Sequence, residues 1–206
     1  MSVAIAERFG AAVERARTYD RPLLIIAASL FALGILFSMS ASPAATARIQ
    51  IGEAFYFAGR QAAYAACGVI AMLAAASLDP RQIRRAAVIV VAIFLPLALL
   101  ASIFGNEIKG AQRWFDIGFF SLQPSEILKP ALIVVWAWML GESMKQPGFP
   151  GRAVAIALYG ATAAVLLSQP DIGQTALLGM CLAPMLILSG VALRYVLGGG
   201  VLAVLG

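Results

Sequence analysis

The sequence predicts an all-α integral membrane protein, a polytopic bundle of transmembrane helices, and three observations predict it. Of 206 residues, 62% are hydrophobic and 12% are charged, a balance far from that of soluble domains. Apolar runs recur along the chain at the length a bilayer requires, about 20 residues for a spanning helix. The basic residues collect in alternate connections between these runs.

The runs fall at about 22 to 40, 60 to 78, 86 to 104, 124 to 141, 153 to 169 and 172 to 190, which makes six spans and the beginning of a seventh. Residues 1–21 form a tail ahead of a transmembrane domain over 22–206. Ser-Ala-Ser-Pro-Ala follows the first run as it would follow a signal peptide, but the apolar stretch is too long for an h-region, so a retained span is expected. After Arg194 the chain has only 12 residues, Tyr195 to Gly206. That is too few to cross roughly 30 Å of hydrocarbon as a helix, so these residues are expected to be the front part of a longer protein.

The connections set the orientation. Arg8, Arg15, Arg17, Arg21, Arg81, Arg84, Arg85, Lys145, Arg152 and Arg194 fall on one side, and Arg48, Arg60, Lys109 and Arg113 on the other, ten against four. Lys129 lies inside a run. Positively charged loops stay in the cytoplasm, which places the N-terminus there. A basic excess split among short loops speaks to topology rather than to a nucleic-acid-binding stripe.

The absence of histidine excludes a His-based metal centre and a Ser-His triad. Acid–base chemistry falls to carboxylates and lysine. Cys67 and Cys181 each sit in an apolar run, where a packed small hydrophobe is expected in place of a disulfide or metal ligand. No cofactor is evident.

Polar chemistry concentrates on the outer side. Residues 105–123 read Gly-Asn-Glu-Ile-Lys-Gly-Ala-Gln-Arg-Trp-Phe-Asp-Ile-Gly-Phe-Phe-Ser-Leu-Gln. Aromatics, Trp114 among them, alternate with Lys109, Arg113 and Asp116, which suits a segment lying at the headgroup level. Interfacial anchoring alone explains such a segment as well as a site does. Next, Gln123-Pro124-Ser125-Glu126-Ile127-Leu128-Lys129-Pro130 opens the fourth helix with proline in its first turn and Glu126 near its third position. Glu126 and Lys129, three apart, share one face at a depth where ionisable groups are costly and normally face a cavity. Pro130 removes a helical hydrogen bond beside them. The pair fits either a lock within the helix or a substrate site. The sixth run opens in the same way, with Gln169-Pro170-Asp171-Ile172-Gly173, and Asp171 fits either a helix cap or a substrate contact. Lys109, Arg113, Glu126, Lys129 and Asp171 would share one membrane depth. An anionic, lipid-anchored substrate suits such a set, since arginine and lysine favour a diphosphate.

At these residues the chain resembles the SEDS family, the shape, elongation, division and sporulation proteins that include FtsW and RodA. Its hallmarks stand in order as Gly110-Ala111-x-Arg113-Trp114, Gln123-Pro124-Ser125-Glu126-x-x-Lys129 and Gln169-Pro170-Asp171-x-Gly173. Phe57-x-x-Arg60-Gln61-x-x-Tyr64 is similar to the start of the family's second helix. Glu107-Ile108-Lys109-Gly110-Ala111 and the Gln-Thr after Gly173 resemble the division branch more than the elongation branch. Asp116 departs from the Asn or Ser more usual near its place.

The resemblance implies about ten transmembrane helices and a glycosyltransferase. Its reaction would polymerise lipid II into glycan strands at the outer face of the bacterial cytoplasmic (inner) membrane, during septal wall synthesis and cell division. It implies lipid II as substrate, and a class B penicillin-binding protein and other divisome proteins as partners. Arg113, Trp114, Gln123, Ser125, Glu126, Lys129 and Asp171 would line the substrate cavity, with Arg113 and Lys129 on phosphate, Glu126 orienting Lys129 and Asp171 fixing the wall. The catalytic carboxylate would lie beyond residue 206, in an outer loop after the seventh helix, so this portion is expected to be inactive alone. A divalent cation is compatible with such chemistry, and no residue pattern here calls for one. Two rival readings remain at this stage, a lipid II flippase and a non-enzymatic divisome scaffold. Against the flippase, which needs access from both faces, the intramembrane charges cluster near the outer face only.

Overall fold

The computed structural model describes residues 21–48, 55–108, 111–117, 120–196 and 198, in two compact units spanning 1–79 and 80–206.

In the first unit α1 (Arg21–Arg48) packs against α2 (Tyr56–Ala76). Much of their apolar surface faces outward, with Leu23, Ile25, Leu30 and Phe37 each more than 60% exposed. In a bilayer this is the favourable arrangement, because lipid tails solvate such side chains as well as a protein core does. Buried polar groups are satisfied inside the pair, as hydrocarbon demands. The Thr46 hydroxyl donates to the carbonyls of Ser42 and Pro43, both at 3.0 Å, and the Ala58 N–H donates to the Ser42 hydroxyl oxygen at 3.4 Å. On α2, Arg60 donates to the hydroxyls of Tyr56 (3.3 Å) and Tyr64 (2.8 Å), one turn away on either side. Cys67 corrects an expectation: it is a free thiol on the exposed side of α2 rather than a packed residue.

The second unit runs α3 (Pro80–Phe104), β1 (Asn106–Ile108), β2 (Ala111–Ile117), β3 (Phe120–Leu122), α4 (Pro124–Lys145), α5 (Gly151–Ser168) and α6 (Ile172–Leu188). Proline opens α3 and α4, where its missing N–H costs nothing. Along α4 the buried residues Leu128, Ala131, Leu132, Val135, Trp136 and Leu140 recur at helical spacing and form one inward stripe. That stripe meets Val91 of α3, Ala155 and Leu166 of α5, and Leu178 and Leu182 of α6 in a single core. The stripe makes α4 the central helix, in contact with the other three.

Two glycines set how closely elements approach. A Cβ at Gly151 would lie 2.0 Å from the Met139 carbonyl oxygen, so only glycine lets the chain turn from α4 into α5 there. A Cβ at Gly179 would lie 2.8 Å from the Tyr159 hydroxyl, which instead passes α6 and donates to the Thr175 carbonyl at 3.3 Å. The Tyr159 ring in turn meets the fully buried Trp136 edge-on, with centroids 6.2 Å apart.

Among the described residues five helices are long and apolar enough to cross a membrane: Pro22–Ala44, Tyr56–Ala76, Pro80–Phe104, Pro124–Lys145 and Gly151–Ser168. The sixth expected span is the shorter apolar helix Ile172–Leu188, whose 17 residues extend roughly 25 Å. Of the expected seventh, residues 193–196 are helical, and most of the remainder lies outside the described residues, as does the N-terminal tail.

Residues 105–123, read from the sequence as an amphipathic connection, contain a three-stranded antiparallel sheet in the order β1-β2-β3. In β2 apolar and polar residues alternate only over Phe115-Asp116-Ile117, too short a run for a strand period to stand out from a membrane-surface segment. Asp116 ties the strands together by accepting from Asn106 Nδ2 on β1 (3.0 Å) and Ser121 Oγ on β3 (2.7 Å). Its departure from the family's usual residue therefore has a structural use. Gly105 joins α3 to the sheet, where a Cβ would come within 2.2 Å of the Ala101 carbonyl oxygen.

The sheet, the start of α4 and the turn between α5 and α6 gather at one end of this unit. At the other end α6 finishes in a Schellman motif: Gly190, at φ 90°, donates to Ile187 O at 3.0 Å, and Val191 N–H reaches Leu186 O at 3.1 Å. Arg152 at the start of α5 donates to the Ser189 carbonyl and places its charge on the negative end of the α6 dipole.

Candidate functional site

At the sheet end, β2, α4 and α6 bring four of the expected residues together. Arg113 reaches from β2 to Asp171, with Nη1 2.7 Å from Oδ2. Asp171 is the N-cap of α6, and its other oxygen accepts the Gln174 N–H at 3.3 Å. The cap expected of Asp171 is thus present, and its second oxygen holds Arg113, a partner that the sequence did not point to. Its side chain is 9% exposed and that of Arg113 30% exposed, so the pair lies at the edge of the core.

On α4, Lys129 Nζ lies 2.8 Å from the Glu126 carboxylate and donates to Gln174 Oε1 at 2.7 Å. Gln174 therefore joins the two ion pairs, with its backbone N–H on Asp171 and its side-chain oxygen on Lys129. One hydrogen-bonded chain runs Arg113–Asp171–Gln174–Lys129–Glu126. Sequence reasoning missed Gln174 as a site residue. Its signal was available, since it stands three residues after the capping aspartate, the spacing of a capping box.

The remaining expected residues take other positions. Trp114 follows Arg113 on β2, where the pairing with β1 slips, Asn106 opposite Trp114 and Glu107 opposite Gln112, and leaves Arg113 as the extra residue of a bulge; the Trp114 side chain is half-buried. Gln123 is the N-cap residue of α4 and is buried, yet its side chain makes no capping bond. Ser125 is buried in the first turn of α4, and its hydroxyl has no hydrogen-bond partner among the described residues. Lys109, expected beside Arg113, lies outside the described residues. Gln169, in the motif that carries Asp171, is a buried brace that donates from Nε2 to the Ala98 carbonyl of α3 at 2.7 Å.

The chain of residues is neutral in sum, two cations against two carboxylates, yet its donors are not exhausted. Arg113 commits one of five N–H donors to Asp171, and Lys129 two of three to Glu126 and Gln174. The carboxylates hold both cations in fixed positions while donors remain for an anion.

Known proteins resemble the chain in sequence and in fold. The family model FTSW_RODA_SPOVE, described as cell cycle protein, matches residues 21–206. The "Probable peptidoglycan glycosyltransferase FtsW" of Caulobacter vibrioides is 41% identical over 189 residues, covering 92% of this chain and 48% of that protein. The protein of the same name from Geobacter metallireducens is 36% identical over 184 residues, covering 87% and 49%. The chain spans about half the length of the curated relatives it matches. Among solved structures, the rod shape determining protein RodA of Thermus thermophilus superposes with a TM-score of 0.73 at 26% identity, over 91% of this chain and 59% of that one. A chain of a peptidoglycan synthase complex, solved to describe how polymerization and crosslinking are coordinated, gives a TM-score of 0.69 at 26% identity, over 91% and 53%. Its membrane helices, its sheet-end motifs and these matches agree: the chain belongs to the FtsW/RodA/SpoVE family of cell cycle proteins, the SEDS family that its motifs resemble.

Proposed function

We propose that the whole protein is a peptidoglycan glycosyltransferase that polymerises lipid II into glycan strands at the outer face of the cytoplasmic membrane during septal wall synthesis. The observation that carries this reading is the linked pair of cations at the sheet end, Arg113 and Lys129, each fixed by a carboxylate and each with donors to spare. In glycosyl transfer an acceptor hydroxyl attacks the donor's anomeric carbon, and the lipid diphosphate departs with the bonding electrons. Charge then grows on the diphosphate oxygens, where prepositioned cations stabilise the transition state more than the ground state. Arg113 and Lys129 take that role, Glu126 and Gln174 orient Lys129, and Asp171 orients Arg113. Gln123, Ser125 and Trp114 complete the walls. The general base comes from a segment beyond residue 206, so residues 1–206 alone form no polymer.

The names carried by the bacterial relatives support the activity. The peptidoglycan synthase complex among the structural relatives supports a crosslinking partner, which we assign as a class B penicillin-binding protein. The N-terminus is cytoplasmic and the sheet end faces outward. Charge supports this orientation: in the second unit the end opposite the sheet carries Arg81, Arg84, Arg85, Lys145, Arg152 and Arg194 against the acidic Glu142.

The test is polymerisation of labelled lipid II by the purified full-length protein with its penicillin-binding partner. Arg113→Ala and Lys129→Ala are each expected to lower the rate by 10²-fold or more, the order seen when one charge-stabilising donor is removed. Melting temperature and partner binding serve as folding controls. Wild-type activity in both variants would refute the assignment.

A further inference from the structure

At the end opposite the sheet, α3 and α4 leave a groove between them. It has a volume of about 290 Å³ and is lined by Pro80, Ile83 and Arg84 of α3 and by Val134, Ala137 and Trp138 of α4. Five of these six residues are apolar or aromatic. The small side chain of Ala137, between the larger Val134 and Trp138, leaves the space open. Arg84 stands over the Trp138 ring, its guanidinium carbon 5.9 Å from the ring centroid. Among the described residues it forms no ion pair, since the two present join Arg113 to Asp171 and Lys129 to Glu126. At that distance the ring takes up none of the guanidinium N–H donors, which stay available to an acceptor.

We propose that this groove holds one anionic phospholipid of the surrounding leaflet, an acyl chain along its apolar floor and the headgroup phosphate on Arg84. The charge around the groove selects the ligand. Arg81 and Arg85 flank Arg84 on the same helix and Lys145 closes α4 at the same end, so the local potential favours a net negative headgroup over a zwitterionic one. A groove of this size, near the ~300 Å³ lower limit of ligand pockets, takes a single flexible chain. The site rests on the membrane reading of the protein and is independent of glycosyl transfer, being at the other end of the bundle from the ion pairs.

Native mass spectrometry of the full-length protein, loaded with phosphatidylglycerol or phosphatidylcholine of matched acyl chains, tests it. Wild type is expected to retain phosphatidylglycerol preferentially. Arg84→Gln should weaken that retention about fivefold, the effect of one basic group near an anionic surface. Ala137→Trp should weaken it at least as much by filling the groove with no change of charge. Arg85→Gln, on an exposed position outside the lining, should leave most of the retention intact. Equal retention of the two lipids, or equal losses in Arg84→Gln and Arg85→Gln, would overturn the proposal. So would a photoreactive residue in place of Ala137 that crosslinks in membranes to protein and not to lipid. The lipid measurements read binding alone, so their failure is distinct from failure of the polymerisation assay.

Discussion

Asp171 uses its two carboxylate oxygens differently: Oδ1 accepts the Gln174 N–H as a helix cap, and Oδ2 holds Arg113. Substitution separates these uses. Asp171→Asn retains a capping oxygen, because asparagine caps helices about as well as aspartate, but loses the ion pair. Asp171→Ala loses both. Unfolding of the purified protein in detergent should therefore show Asp171→Ala less stable than Asp171→Asn by about 1 kcal/mol, while both abolish the fixed position of Arg113. Equal stability of the two variants would mean that the cap contributes nothing. How much of this was legible depended on sequence distance. Glu126 and Lys129 are three residues apart on one helix, and spacing alone announced their contact. Arg113 and Asp171 are 58 residues apart, and several carboxylates could have met that arginine. Gln174 escaped notice because a neutral amide in an apolar helix gives no charge signal, and only the aspartate before it marks its position.

At the scale of elements, the positions of the helices were legible because hydropathy summed over a span is a local property, but their ends were less so, the first running on to Arg48 rather than about 40 and α3 beginning at Pro80 rather than about 86. The strands were not legible. Two of the three have three residues each, too short for their period to be distinguished from an aromatic interfacial segment. The sheet exists because long-range partners complete it, Asp116 above all, whose two cross-strand acceptor bonds could not be read from a lone carboxylate in a loop. The C-terminal end of α6 offers a direct test of element design. Gly190 sits at φ 90°, and a Cβ there would come within 3.2 Å of Arg152 Nη2. Gly190→Ala is thus expected to destabilise the protein by about 1–2 kcal/mol, through left-handed backbone strain and displacement of the Arg152 bond to Ser189. Thermal unfolding measures it, and an unchanged melting temperature would show that the Schellman turn contributes little.

For the whole molecule, the second unit separates its charges, with ion pairs and sheet at one end and six basic residues at the other. Insertion with the basic end in the cytoplasm predicts a labelling pattern. In a background of Cys67→Ala and Cys181→Ala, a membrane-impermeant thiol reagent should modify Ser121→Cys in intact spheroplasts and Gln146→Cys only after permeabilisation. The reverse pattern would invert the topology and remove the outer-face reading of the ion pairs. Sequence patterns sufficed to show that the chain lives in a bilayer, roughly where its helices lie, which family it resembles and which ionisable residues had to find partners there. Each of these follows from a local composition, a short spacing or a motif. Tertiary packing was needed to show that Arg113 meets Asp171, that Gln174 links both ion pairs, that a bulge in β2 falls at Arg113 and that Arg84 lies over Trp138 beside an open groove. Such contacts depend on how helices and strands pack across long sequence separations, and the energy of each pairing is set by burial and geometry that no local pattern encodes.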